Sequence, residues 1–186
     1  SVSRHDNVLF RFGGMLERLP SALLVGDSYL ALGGKKTEFA LAFVEGVAAN
    51  RDVSYGRIRD SLPACYAKFG KALVLADAST HRREIFHAKY LLGRCYSEGY
   101  VLDSAIKWYR EAMKVDSSDM DAAMSLVSDY TIQYAQALLN RDFAAAVAMK
   151  SAIQKLSIRI RAHDGPDRKL GAMLDQVYAL AEYDGS

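Results

Sequence analysis

Only three prolines and two cysteines occur in this 186-residue chain, and its formal charge of +2 is small. A nearly balanced charge gives no reason by itself to expect a polyanionic partner. No apolar run approaches the length of a membrane span, and no charged-then-apolar leader with a cleavage site opens the chain. The first residue is Ser1 rather than Met, as in a segment cut from a longer polypeptide. Catalytic and metal signatures are equally scarce. The four histidines, His5, His81, His87 and His163, are scattered, and His81 and His87, six apart, lie too far round a helix to share a metal. There is no HExxH and no Gly-x-Ser-x-Gly elbow. Gly34-Lys35-Lys36-Thr37 brushes against a phosphate loop, but Tyr29 stands where the loop needs its first Gly. Asp116, Asp119 and Asp121 cluster at a helix start, where carboxylates favour the helix dipole. A non-enzymatic protein without cofactor or metal is the expectation. Cys65 and Cys95 lack partners at metal-ligand spacing, and two thiols make no disulfide framework. Two reduced cysteines, and with them a reducing, cytoplasmic compartment, are expected.

What remains is helical pattern. Half the residues are apolar and a quarter charged, which suits a folded, mostly helical protein long enough to bury a core. The clearest stretch is 86–119, FHAKYLLGRCYSEGYVLDSAIKWYREAMKVDSSD. Leu92, Gly93 and Tyr96 share one helix face. A helix-interior Gly costs about 1 kcal/mol against Ala, and close approach of a second helix is the usual compensation. Ala105, Tyr109 and Ala112 follow at i, i+4 and i+7, a small-large-small stripe. Facing Gly93, that stripe predicts a tight antiparallel pair turned at Ser97-Glu98-Gly99, with these six residues in the core.

Lys89-x-x-Leu92-Gly93-x-x-Tyr96 followed by Ala105-x-x-x-Tyr109 resembles a tetratricopeptide repeat. Lys89 stands where the family has Trp, Tyr109 where it has Phe, and Ser117 where it has Pro. The resemblance implies an all-α fold, a right-handed α-α superhelix of helical hairpins, about nine to ten helices ending in a capping helix. It also implies a protein–protein interaction scaffold that takes an extended or helical segment of a partner in a concave groove. The family's groove positions fall on His87, Tyr90, Arg94, Ser97 and Glu98. A fainter copy places Leu23, Asp27 and Leu30 there, and a following helix Met124, Ser128 and Thr131. The family's clamp for a C-terminal carboxylate uses Lys and Asn where this chain has Tyr90 and Arg94, which argues against that ligand class.

The rest of the chain reads as worn copies within one domain. A weak helix over 5–18 is interrupted at Gly13-Gly14, and Pro20 suits the first turn of the next. In the fainter copy, 20–50, Val25-Gly26-x-x-Tyr29 echoes the clear repeat, and Ala40, Val44 and Val47 echo its second helix. Gly26 and Gly93 lie 67 positions apart, close to two repeat lengths. The middle unit, 51–80, should hold a short helix capped by Asp52 or Ser54 and running through Leu62. Pro63 should then kink it or begin another, running to about Ala78. Ser118-Asp119-Met120-Asp121 reads as a capping box opening an elongated pair over 120–161. One helix of that pair carries Ala123, Val127, Tyr130, Tyr134 and Leu138. The other, past a turn at Asn140-Arg141-Asp142, carries Ala146, Met149, Ile153, Leu156 and Ile160. A last helix, 167–183, would cap the stack.

Charge is banded. Residues 51–94 hold nine bases and four acids, 98–129 three bases and seven acids, 141–169 seven bases and three acids. A banded groove would select a charged partner segment. The alternative is a helical-repeat RNA binder using Arg57, Arg59, Arg82, Arg83, Arg159 and Arg161, with aromatics stacking bases. The acidic middle band argues against it.

Overall fold

The computed structural model describes residues 38–54, 58–79 and 81–163. Among them are six helices and no strand, so the fold is all-α. That is fewer than the nine to ten helices expected; the helices expected over 5–18, 20–33 and 167–183 lie outside the described residues. The chain divides into two compact units, meeting at Val115 and Asp116.

The first unit contains α1 (Glu38–Ser54), α2 (Ile58–Leu75), α3 (Arg82–Glu98) and α4 (Leu102–Val115). Helices α1 and α2 pack along each other, as do α3 and α4, and α3 also lies against both α1 and α2. Ion pairs from Lys71 to Glu38 and from Lys68 to Glu45 tie the end of α2 to the start of α1, so that pair is antiparallel. Arg82, opening α3, donates from Nε and Nη2 to the carbonyl of Val115, which closes α4. The second pair is therefore antiparallel as well.

Both pairs close on the same device. The Gly93 Cα approaches the Tyr109 ring so nearly that a Cβ would sit 2.7 Å from it. Gly46 on α1 does the same against the Phe69 ring of α2, again at 2.7 Å. Each glycine lets an aromatic ring lie flush on helix backbone, which offsets the glycine's helix cost. Leu92, Gly93, Ala105, Tyr109 and Ala112 are buried as expected, and Tyr96 is half-buried.

Three expectations fail in this unit. Helix α1 runs through Asp52 and Ser54 rather than being capped there. Helix α2 runs on through Pro63, which lies in its second turn, so no new helix begins there; the ring removes the bond to the carbonyl of Arg59. Third, Cys65 and Cys95 are joined as a disulfide linking α2 to α3, with Cα atoms 6.6 Å apart. The reduced-thiol expectation, and the reducing compartment built on it, lose their ground. No local spacing could have shown this, because only the packing of α3 on α2 brings together residues 30 positions apart.

Helix α1 is buried round nearly its whole circumference, from Phe39 and Ala40 through Phe43, Val44 and Val47 to Val53. Phe43 meets Phe69 edge to face, with centroids 6.4 Å apart. The buried Asn50 donates to the carbonyl of Leu91 at 3.3 Å and reaches Cys95 Sγ at 3.2 Å, which fixes the register of α1 on α3. Helix α2 adds a ring stack, Tyr66 on Tyr96 at 4.2 Å.

The second unit contains α5 (Met120–Leu139) and α6 (Phe143–His163), packed on each other. The expected stripes are its core: Ala123, Val127, Tyr130 and Tyr134 on α5, with Ala146, Ile153 and Ile160 on α6. The N-cap of α5 is Asp119, which accepts from Ala122 N–H at 3.1 Å. Ser118 instead donates from its hydroxyl and its backbone to Asp116 Oδ1.

Helices α3 and α5 end alike. At the end of α3, Tyr100 N–H bonds to Ser97 O and Val101 N–H to Tyr96 O; after α5, Arg141 N–H bonds to Leu138 O and Asp142 N–H to Ala137 O. This is the Schellman pattern, which asks for a left-handed residue after the cap. Tyr100 and Arg141 supply it, each with φ 58°. Gly99, the expected turn residue, keeps a negative φ; its missing side chain instead makes room for Leu62 and the Tyr66 hydroxyl of α2.

Candidate functional site

Helix α3 is held on several sides. Gly93 faces α4, while the Cys95 disulfide faces α2 and the Leu91 carbonyl meets Asn50 of α1. The expected groove positions follow helical spacing: His87, Tyr90, Arg94 and Ser97 are half-buried, and Glu98 is exposed. All five site residues carried by α3 therefore gather on one side of a helix whose other sides are engaged. Arg83, one turn before His87 and exposed, extends the same stripe. Its spacing of four from His87 was readable, but the family pattern did not reach it.

Tyr90 serves two purposes. Its ring stacks on Phe86 at 6.2 Å and leans on Tyr109 at 5.8 Å, so part of it belongs to the α3–α4 core. The Phe86 and His87 rings lie 6.3 Å apart. Arg94 and Glu98, one turn apart, place opposite charges beside that aromatic.

Asp27, with Leu23 and Leu30, lies outside the described residues. Ser128 is exposed on α5, in the other unit. Thr131 donates its hydroxyl to the Val127 carbonyl at 2.8 Å and is thus committed to its own helix. Met124 is half-buried. On α1, the positions that pair with α3's stripe through the Gly46 and Gly93 register are Ala40, Phe43 and Val47, all buried.

Many cations of the 51–94 band have internal partners. Lys68 and Lys71 pair with Glu45 and Glu38, Arg51 is buried 3.8 Å from Asp52, and Lys89 lies 3.6 Å from Glu111. Arg82 caps α4. A hydrogen bond from Lys114 holds the Glu111 carboxyl below its ordinary range, and the charges of Lys114 and Lys89 add to this. Arg57 and the side chain of Arg59 lie outside the described residues.

Among the described residues, no three or more His, Cys, Asp or Glu side chains come together as a metal site, and no helix is long and apolar enough to cross a membrane. No protein-family model, no curated protein and no solved structure matches this chain.

Proposed function

We propose that this chain is a non-enzymatic interaction scaffold of the tetratricopeptide kind, holding an extended or helical segment of a partner protein against the side of α3 that carries Tyr90 and Arg94. One observation supports this reading above the others. Helix α3, which packs against α1, α2 and α4, carries Arg83, His87, Tyr90, Arg94 and Glu98 along a single side, with Tyr90 steadied there by the Tyr109 ring of α4. A recognition surface gains from such rigidity, because binding then costs little ordering of the surface itself. Tyr90 and Arg94 are residue types that dominate binding energy at interfaces, where an aromatic or acidic anchor can be desolvated between them.

The test is site-specific photo-crosslinking in cells. A benzophenone side chain at position 94 or 98 should capture a protein that the same group at the exposed Lys107 of α4 does not. Equal capture from both sites would remove the assignment to α3. Arg94→Glu, with the melting temperature unchanged, should weaken recovery of that protein about tenfold or more, as loss of a charged anchor does.

A further inference from the structure

The second unit leaves large apolar side chains in water. Phe143 is 65% exposed, Val147 69% and Ile158 72%, and Leu139, just before the turn into α6, is 83% exposed. On α6, Phe143, Val147, Gln154 and Ile158 follow at steps of four, seven and four, so they share one face. Ala144 and Ser151 lie beside them on that face. A second face, about 100° round the helix and carrying Ala146, Ile153, Ser157 and Ile160, is buried. Helix α6 is thus apolar on two sides, and among the described residues only one of them is buried.

Cations border the unused side. Helical spacing puts Lys150 along one edge and Lys155, with Arg159 behind it, along the other; Arg161 falls in line with Phe143, and Phe143–His163 contains no Asp or Glu. An apolar stripe with a lysine on each edge and no acid on the helix specifies its counterpart: apolar in the middle, acidic at both edges. We propose that the outer face of α6 is a docking site for an acidic amphipathic helix of another protein. The anchors at Phe143, Val147 and Ile158 share one helix face, as a helix laid along α6 requires, and the flanking cations fix orientation and speed encounter.

Charge and polarity decide between occupants. A second copy of α6 would bring like charges together, which disfavours a symmetric pair. An anionic bilayer would satisfy the cations. It would also bury Ser151 and Gln154 among acyl chains with nothing to hydrogen-bond, whereas a helix offers side-chain partners.

The experiment uses the full chain and synthetic peptides of about 18 residues, long enough for five helical turns. One peptide carries a Leu face flanked by Glu, and its control the same face flanked by Lys. Fluorescence anisotropy should show the Glu peptide binding, with affinity falling as salt rises from about 0.05 M to about 0.5 M, while the Lys peptide stays free. Phe143→Ser/Val147→Ser/Ile158→Ser should abolish the signal without loss of helicity, since all three side chains are exposed. Lys150→Glu/Lys155→Glu/Arg159→Glu should exchange the preference for that of the Lys peptide. Failure of the Glu peptide to bind would overturn the proposal. So would equal binding of both peptides or indifference to the serine variant. Vesicles of phosphatidylserine and phosphatidylcholine that bind the chain through this face where the Glu peptide does not would assign it to a membrane surface.

Discussion

Adding one methyl group at position 93 or 46 brings it within 2.7 Å of an aromatic ring, Tyr109 or Phe69. Both rings are buried and have little room to give, so Gly93→Ala and Gly46→Ala should each lower stability by about 1–3 kcal/mol, measured by urea unfolding. A variant as stable as the parent would mean that the ring can move aside. Gly70 supplies the contrast. A Cβ there meets nothing within 4 Å, and Gly70→Ala in the middle of α2 should raise stability by about 0.5–1 kcal/mol through helix propensity alone. Tyr100, exposed and left-handed, is a different case. Tyr100→Gly should stabilise by up to about 1 kcal/mol, because a side chain in that conformation is strained by about 1–2 kcal/mol, less the entropy glycine brings to the unfolded chain. Of these positions the sequence revealed only Gly93, where Leu92 and Tyr96 frame it and a small-large-small stripe follows. Gly46 carries no such frame. Its neighbours Ala40, Val44 and Val47 read as the second helix of an earlier pair, a reading that gives α2 no place against Gly46. Tyr100 was illegible because Gly99 beside it is the better turn residue by type, and contact with α2 had already claimed that glycine.

Between elements, the disulfide is the strongest single tie in the first unit. Closing a loop of 30 residues stabilises by roughly 3–4 kcal/mol in the chain-entropy account. Cys65→Ser/Cys95→Ser should therefore unfold at markedly lower denaturant, and a reductant should bring the parent to the same midpoint. If reductant leaves the parent unchanged, the bond carries no stability in solution. The α3–α4 pair also has a pH signature. Because Glu111 is held below its ordinary value by Lys114 and then Lys89, its contribution is present above the ordinary carboxylate range and fades as pH falls through the lowered value. Glu111→Gln should flatten the acid limb of the stability curve, and an unaltered limb would exclude the pair as its cause. Helices α5 and α6 were the most legible elements, since their stripes run unbroken for several turns and the turn between them is three residues long. Helix α2 was the least. Pro63 reads as a kink or the start of another helix, but α2 runs on through it, losing the hydrogen bond to the Arg59 carbonyl.

For the whole molecule, charge bands drawn from the sequence overstated the surface. Lys68, Lys71, Lys89, Arg51 and Arg82 all find partners within the first unit. The chain should accordingly retain no homopolymeric RNA on a filter at low salt; retention that disappears as salt is raised would restore the nucleic-acid reading. The side of α3 proposed as a groove was legible through the family resemblance, which placed His87, Tyr90, Arg94, Ser97 and Glu98 together. The outer face of α6 was not, because Phe143 and Val147 read as ordinary helix apolars until the inward stripe was seen to run through Ala146 and Ile153 instead.

The cross-link has one more consequence, for a chain under tension. Pulled from its two ends, the oxidised molecule cannot pay out the 30 peptide units between Cys65 and Cys95. At roughly 3.5 Å per residue, full extension falls short of that of the reduced chain by about 100 Å. An optical trap would read that missing length directly, with and without reductant in the chamber.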